Sequence, residues 1–154
     1  MGAKAKPDTA SEWDDLKPNP ALKSLNRLLG AWVVTGEAHG QVTFNWMEGG
    51  FFMVQDIDLI GTKGIEFIGY DKSSKSLKSH YFDTNGQVLE FTYETSESGH
   101  IVFIDMPGIK GKFKGKFGKG GEIINGKWKW IKDGREMACE VTLTRVGNNR
   151  LNKH

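Results

Sequence analysis

From Gly30 onward the chain alternates apolar and polar side chains with a period of two, and turn-forming clusters interrupt the alternation at intervals of roughly ten residues. The clusters are EGG at 48–50, GTKG at 61–64, DKSSK at 71–75, DTNG at 83–86, SESG at 96–99, PG at 107–108, GKGG at 118–121 and DG at 133–134. Between them lie ten strand-like segments: AWVVTGEA, QVTFNWME, FFMVQDIDLI, IEFIGYD, SLKSHYF, QVLEFTYE, HIVFID, KGKFKGKF, EIINGKWKWIK and REMACEVTLTRV. Links this short join antiparallel neighbours. Left open, such a meander would present two raw edges, so the pattern predicts an all-β, ten-stranded antiparallel up-and-down barrel, with a two-sheet sandwich as the alternative. One helix precedes it. In NPALKSLNRLLG, Asn19 can cap, Pro20 suits the first turn, Leu22, Leu25, Leu28 and Leu29 form an apolar stripe, and Gly30 supplies the stop. Residues 1–18, polar and proline-punctuated, read as a flexible arm with Trp13 as its one apolar anchor, 19–146 as the barrel domain and 147–154 as a tail.

Hairpin geometry assigns the faces, because residues directly opposite across a two-residue turn lie on the same side of a sheet. A Gly49-Gly50 turn sets Glu48 opposite Phe51, Trp46 opposite Met53 and Phe44 opposite Gln55, so Val42, Phe44 and Trp46 share a face with Phe51, Met53 and Ile57. An Asp133-Gly134 turn sets Trp130 opposite Met137 and Trp128 opposite Cys139, and that face continues through Val141 and Leu143 to Arg145. Two unrelated turns each bring two apolar sets together, which makes these faces the inner ones. In KGKFKGKF, Phe113, Phe117, Gly111 and Gly115 then point one way and Lys110, Lys112, Lys114 and Lys116 the other. A single-stranded nucleic acid site needs stacking rings and cations on one surface. Here they are back to back, and the lysines read as a solvated outer face. Glycine at the inward positions 111 and 115 either allows the sheet to coil sharply or leaves empty space inside.

Composition narrows the class. The chain has 154 residues, enough for one domain with its own core, and Cys139 is its single cysteine, so no intrachain disulfide can form. The first twenty residues lack the apolar stretch of a secretory signal, no segment reads as a membrane span, and Lys6 stands where an N-terminal myristoylation motif needs Ser or Thr. The expectation is a cytoplasmic protein without a membrane or nucleic-acid partner. The net charge of +2 conceals an asymmetry: acids outnumber lysines between Glu37 and Asp105, whereas Ile109 to Lys132 is lysine-rich and holds only Glu122. Opposite flanks of opposite charge would steer partners or favour a homodimer.

The ordered motifs carry a resemblance. Gly30-x-Trp32 opening the first strand, with Arg145 in the closing TLTRV, resembles the lipocalin-like (calycin) signature, and FNWMEGGFF, GIEFIGYD and HYFDTNG extend it toward a bacterial lipocalin-like barrel family of about this length. The resemblance covers residues 19–146 and implies a meander barrel, a helix closing one end, a central cavity and a structural Trp32–Arg145 pair across the closed end. The family has no established activity. The pairing is also what closure requires, since the first and last strands are neighbours only in a closed sheet, and a guanidinium over an indole contributes about 0.5 to 2 kcal/mol. Nitrobindin-like barrels share the Gly-x-Trp start and carry an axial histidine late in the chain; residues 135–146 hold none and His154 lies in the tail, so no cofactor is expected and haem is a minor alternative.

No metalloprotease helix motif, cysteine pair, phosphate-binding loop or nucleophile elbow occurs, so neither a metal site nor a catalytic residue is assigned. Asp56 and Asp58 share a strand face, but the turn-derived parity sets them opposite Met53 and Ile57, toward solvent. His80 opposes Phe91 and points inward if Asn85-Gly86 is a two-residue turn. With a three-residue Thr84-Asn85-Gly86 loop it opposes Glu90 and points out, which leaves the cleaner apolar face. Cys139 reads as a small core residue. The expected function is the binding of a small apolar or aromatic molecule in a cavity walled by Phe44, Trp46, Phe91, Phe113, Trp128 and Trp130, with Gln55, Tyr81, Tyr93 and Arg145 as polar handles. The alternatives are a lyase or isomerase using tyrosine and carboxylate acid–base chemistry, with Tyr93 paired to Glu90 or His80, and a barrel with a filled core that acts as a dimeric interaction protein.

Overall fold

The computed structural model of the protein describes residues 16–147, so most of the N-terminal arm, including Trp13, and the tail after Gly147 lie outside the described residues. Within that span ten antiparallel strands follow one another as a meander: β1 (Gly30–Gly36), β2 (Gly40–Trp46), β3 (Phe52–Leu59), β4 (Thr62–Asp71), β5 (Ser76–Asp83), β6 (Val88–Thr95), β7 (Gly99–Met106), β8 (Ile109–Gly118), β9 (Ile123–Lys132) and β10 (Arg135–Val146). Each pairs with its sequence neighbours, and β1 pairs with β10, so the sheet is a closed barrel without an open edge. The barrel, rather than the sandwich, is the fold.

The predicted faces hold. Phe44 pairs with Gln55 and Trp46 with Met53, while Trp130 pairs with Met137 and Trp128 with Cys139. The first hairpin is wider than a two-residue turn: the Met47 N–H donates to Phe52 O at 2.9 Å and the Gly50 N–H to Met47 O at 3.0 Å, so Glu48 and Phe51 belong to the loop and Phe51 is exposed rather than inward. Four loop residues in place of two leave the parity of both strands unchanged. Lys110, Lys112, Lys114 and Lys116 are exposed while Phe113 is buried, and β8 lies across the barrel from the acidic β3–β4 side. The space left by Gly115 and Gly126 is taken by the Phe113 ring, into which a Cβ on either would run, whereas a Cβ on Gly111 would collide with the Trp130 backbone and Cβ across the ladder.

The alternation breaks on one outer face. Ile65, Phe82 and Val88 stand in register across β4, β5 and β6 on the outside, each more than a third exposed, and Phe67 meets Phe82 edge to face at 6.4 Å. In GIEFIGYD the barrel thus turns Ile65 and Phe67 outward and Glu66 inward.

The predicted helix forms as a 3-10 helix, Pro20–Leu28, capped by the Asn19 side chain, which accepts from the Ala21 N–H at 2.9 Å. Three residues per turn suit Leu22, Leu25 and Leu28, which recur at that spacing and are all buried; Leu29 becomes the cap residue and leaves the stripe. The helix closes the end at which β1 starts and β10 stops. Trp32, fully buried, donates its indole N–H to Leu28 O at 2.8 Å, and the Arg145 guanidinium stacks 4.2 Å from its ring centroid. Arg145 also donates to the carbonyls of Leu29, Arg27 (2.8 Å) and Gly121 (3.2 Å) and to the Glu122 carboxylate (2.9 Å).

Arg145→Ala is expected to destabilise the fold by about 3 kcal/mol, because it leaves helix carbonyls without donors and uncovers Trp32. Arg145→Lys should recover only part of the loss, since a compact ammonium replaces neither the spread of three donor nitrogens nor the planar stack on Trp32. Urea unfolding followed by tryptophan emission checks both; a loss below about 0.5 kcal/mol for Arg145→Ala would show that the tie is dispensable.

Candidate functional site

Inside the barrel is a cavity of about 420 Å³. Phe44, Gln55, Tyr81, Phe91, Tyr93, Phe113, Trp128 and Trp130 all border it, as expected from the sequence. The two other expected residues sit elsewhere. Trp46 is held at the closed end, its indole N–H donating to Asn26 Oδ1 at 2.8 Å, and Arg145 spends its donors on the helix and the Gly121–Glu122 turn. Neither reaches the cavity, because the 3-10 helix lies between that end and the interior.

The wall is built in two halves. On β6 to β9 the rings form a chain: Tyr93 and His100 at 5.5 Å between centroids, His100 and Phe113 at 5.9 Å, Phe113 and Trp128 at 5.4 Å, Trp128 and Phe91 at 5.9 Å. These are tilted or edge contacts, the arrangement that aromatic quadrupoles favour. Across the barrel, on β3 to β5, a polar row runs in register, with Gln55 opposite Glu66 and Glu66 opposite Tyr81. Gly64 on β4 makes the room in which the Tyr81 ring lies.

Glu66 is the carboxylate at the centre of this row, 3% exposed. The Tyr93 hydroxyl donates to its Oε2. Burial pushes the Glu66 carboxyl above its ordinary pKa, with the Ser79 and Tyr93 hydroxyls offsetting part of that rise. Burial and then the Glu66 charge hold the Tyr93 phenol well above its ordinary value. Ser79 Oγ lies near enough to favour the carboxylate but meets no partner in hydrogen-bond geometry, and the buried Tyr81 hydroxyl has no partner either. His100, also buried, shares a 2.9 Å hydrogen bond between its Nδ1 and Thr95 Oγ1, and desolvation pushes its pKa down to about 4. It is therefore neutral near pH 7.

Sequence reasoning missed Glu66 and His100. For Glu66 the signal existed: Ile60-Gly61 is a two-residue turn between Leu59 and Thr62, and counting back from it sets Glu66 beside the inward Gln55. GTKG at 61–64 is instead mostly strand. For His100 no such signal existed, since HIVFID is apolar on both faces. The other assignments stand outside the cavity as expected. Asp56 and Asp58 are exposed, with Lys63 3.6 Å from Asp58, and His80 lies opposite Glu90 at 3.8 Å on the outer surface, across the three-residue Thr84-Asn85-Gly86 loop. The tyrosine–carboxylate pair expected for an enzyme is thus Tyr93 with Glu66, not with Glu90 or His80. Cys139 borders the cavity as a free thiol, its pKa raised by burial and by Glu37.

Among the described residues no group of three or more His, Cys, Asp and Glu side chains could hold a metal ion, and no helix is long and apolar enough to cross a membrane. Haem does not fit the residues by the nitrobindin pattern. β10 carries no histidine, and His100, the one cavity histidine, stands on β7 with Nδ1 engaged by Thr95. Compared with known proteins, the chain matches no family model and no curated protein.

Two opposed pH effects follow. His100 takes up a proton more readily unfolded than folded, so its contribution to stability is lost as pH falls from about 6.5 toward about 4. His100→Phe should therefore lose about 2 kcal/mol less than the parent between pH 7 and pH 4.5 in urea melts. Glu66 has the reverse sign. Its folded pKa is raised, so its contribution is full below the unfolded value of 4.5 and declines as pH rises through the folded value. Glu66→Gln should gain on the parent as pH rises above 4.5, and a constant difference would show that the carboxylate is not desolvated.

Proposed function

We propose that this chain is a lipocalin-like binding barrel that takes a small apolar or aromatic molecule into its central cavity. The observation that carries this reading is the interior itself. The barrel is not filled by its own rings: about 420 Å³ remains, within the range of small-molecule sites, behind a wall of aliphatic and aromatic groups with few polar ones. One end is sealed by the 3-10 helix and the Arg145 tie, so the route in would be past the β1–β2, β3–β4, β5–β6, β7–β8 and β9–β10 turns at the other end. Burying apolar ligand surface there is favourable by roughly 25 cal/mol per Å². This space is what distinguishes a binding barrel from a filled-core interaction protein.

The Glu66–Tyr93 pair favours a second reading, an isomerase or lyase in which Glu66 removes a proton next to a carbonyl and Tyr93 orients it. Incubation with an aromatic ketone in D₂O tests this. Deuterium at the α-carbon, lost in Glu66→Gln, would support catalysis, and no exchange beyond the buffer rate would remove it.

Naphthalene is expected to quench tryptophan emission saturably, because Trp128 and Trp130 border the cavity. The same ligand should slow alkylation of Cys139 several-fold. Unchanged emission together with unchanged alkylation, for naphthalene and for its hydroxyl and carboxylate analogues alike, would reject the binding reading.

A further inference from the structure

We infer that the Glu66–Tyr81 row is a polar anchor selecting neutral ligands that carry a hydroxyl group, phenols or alcohols with an apolar body, over hydrocarbons and over carboxylates such as fatty acids. The inference rests on the binding reading above and names the ligand class for that cavity.

Four features of the row lead to it. Tyr93 occupies one Glu66 oxygen, Oε2, and the carboxylate can accept more than one hydrogen bond. The Tyr81 hydroxyl, on a side chain 4% exposed and on the cavity wall, has no partner, and a buried polar group left unpaired is costly. Tyr81 pairs with Glu66 on the neighbouring strand, its ring leans over Gly64, and its phenol lies in the field of Asp83 and then Glu66, so a ligand hydroxyl reaching between the two side chains would meet an acceptor on one and a hydroxyl on the other. Gln55, opposite Glu66 on the other side, extends the polar row. A ligand hydroxyl answers both demands at once: it donates to the carboxylate and accepts from Tyr81. A hydrocarbon leaves Tyr81 unpaired. A ligand carboxylate would bring a second negative charge beside a buried carboxyl, and like charges in a low-dielectric site cannot both ionise readily. The opposite wall fits the rest of such a molecule, since the Phe91, Trp128 and Phe113 chain offers edges and faces to an aromatic body. A site built to bond a ligand hydroxyl discriminates strongly against the analogue lacking it.

Three probes of equal ring size test this: 2-naphthol, naphthalene and 2-naphthoate, titrated at pH 7 by tryptophan quenching into the parent, Tyr81→Phe and Glu66→Gln. The parent should bind 2-naphthol at least tenfold more tightly than either other probe. Tyr81→Phe, which removes one oxygen atom from the wall, should bring 2-naphthol to within threefold of naphthalene, by weakening 2-naphthol and tightening naphthalene. Glu66→Gln should weaken 2-naphthol and narrow the gap to 2-naphthoate; circular dichroism of each variant separates lost folding from lost selectivity. If naphthalene binds the parent and 2-naphthol shows no preference, or keeps its preference in Tyr81→Phe, the anchor is wrong and the binding reading survives. If none of the three binds, both fall together.

Discussion

The pairing of β1 with β10 is the constraint on which the molecule depends, because it turns a meander with two edges into a surface with an inside. Register across that seam runs from Ala31 opposite Val146 to Gly36 opposite Val141, and Trp32 sits directly opposite Arg145. Arg145 therefore acts where closure is decided. Its side chain joins the last strand to the first by stacking on Trp32, and joins both to the helix through the Leu29 and Arg27 carbonyls. A planar five-donor group suits this convergence, because its donors are spread over three nitrogens while its face stacks on the indole. Arg27 adds a second cation–aromatic contact, 4.4 Å over Phe117, beside it.

Sealing one end in this way has a consequence for the interior. The helix leucines, Trp32 and Met53 fill the closed end to full burial, whereas farther in the strands surround space that their own side chains do not occupy. The Phe113 ring reaches over Gly115 and Gly126, which have no side chain to displace it. The polar row opposite it is more unusual. A buried carboxylate is costly unless hydrogen-bonded, and Glu66 receives one hydroxyl while two other hydroxyls nearby go unpaired. Such a group is difficult to explain as packing alone. It makes physical sense as part of a surface that meets a polar atom from elsewhere.

The exterior shows the same separation of charge that the sequence carries. β8 and β9 place Lys112 opposite Lys129 and Lys114 opposite Lys127, like charges facing each other across one ladder. Glu140 on β10 stands opposite Lys127 and Asp105 on β7 opposite Lys110, which relieves part of the repulsion at the margins of the stripe. The rings of β8 and β9 face inward and their lysines outward, where Phe103 of β7 adds a ring to the stripe, 5.8 Å from the Lys112 ammonium.

Two-step alternation and turn chemistry by themselves determined the number and order of the strands, the closure, and the inward direction of Phe44, Phe113, Trp128 and Trp130, because those signals are local and each strand repeats them. The Trp32–Arg145 contact was legible for a related reason: if the sheet closes, its first and last strands must touch. The helix was legible as an apolar stripe, but its tight 3-10 winding depends on seating Leu22, Leu25 and Leu28 on the barrel end. What the tertiary structure alone decided is which residues the helix walls off and which polar groups meet inside. Trp46 and Arg145 have inward parity yet lie on the far side of that plug. Glu66, flanked by Ile65 and Phe67, and His100, in a segment apolar on both faces, defy the rule that apolar groups point in. Their hydrogen-bond partners Tyr93 and Thr95 lie on another strand or across a turn, and only the ring of ladders brings them into one place.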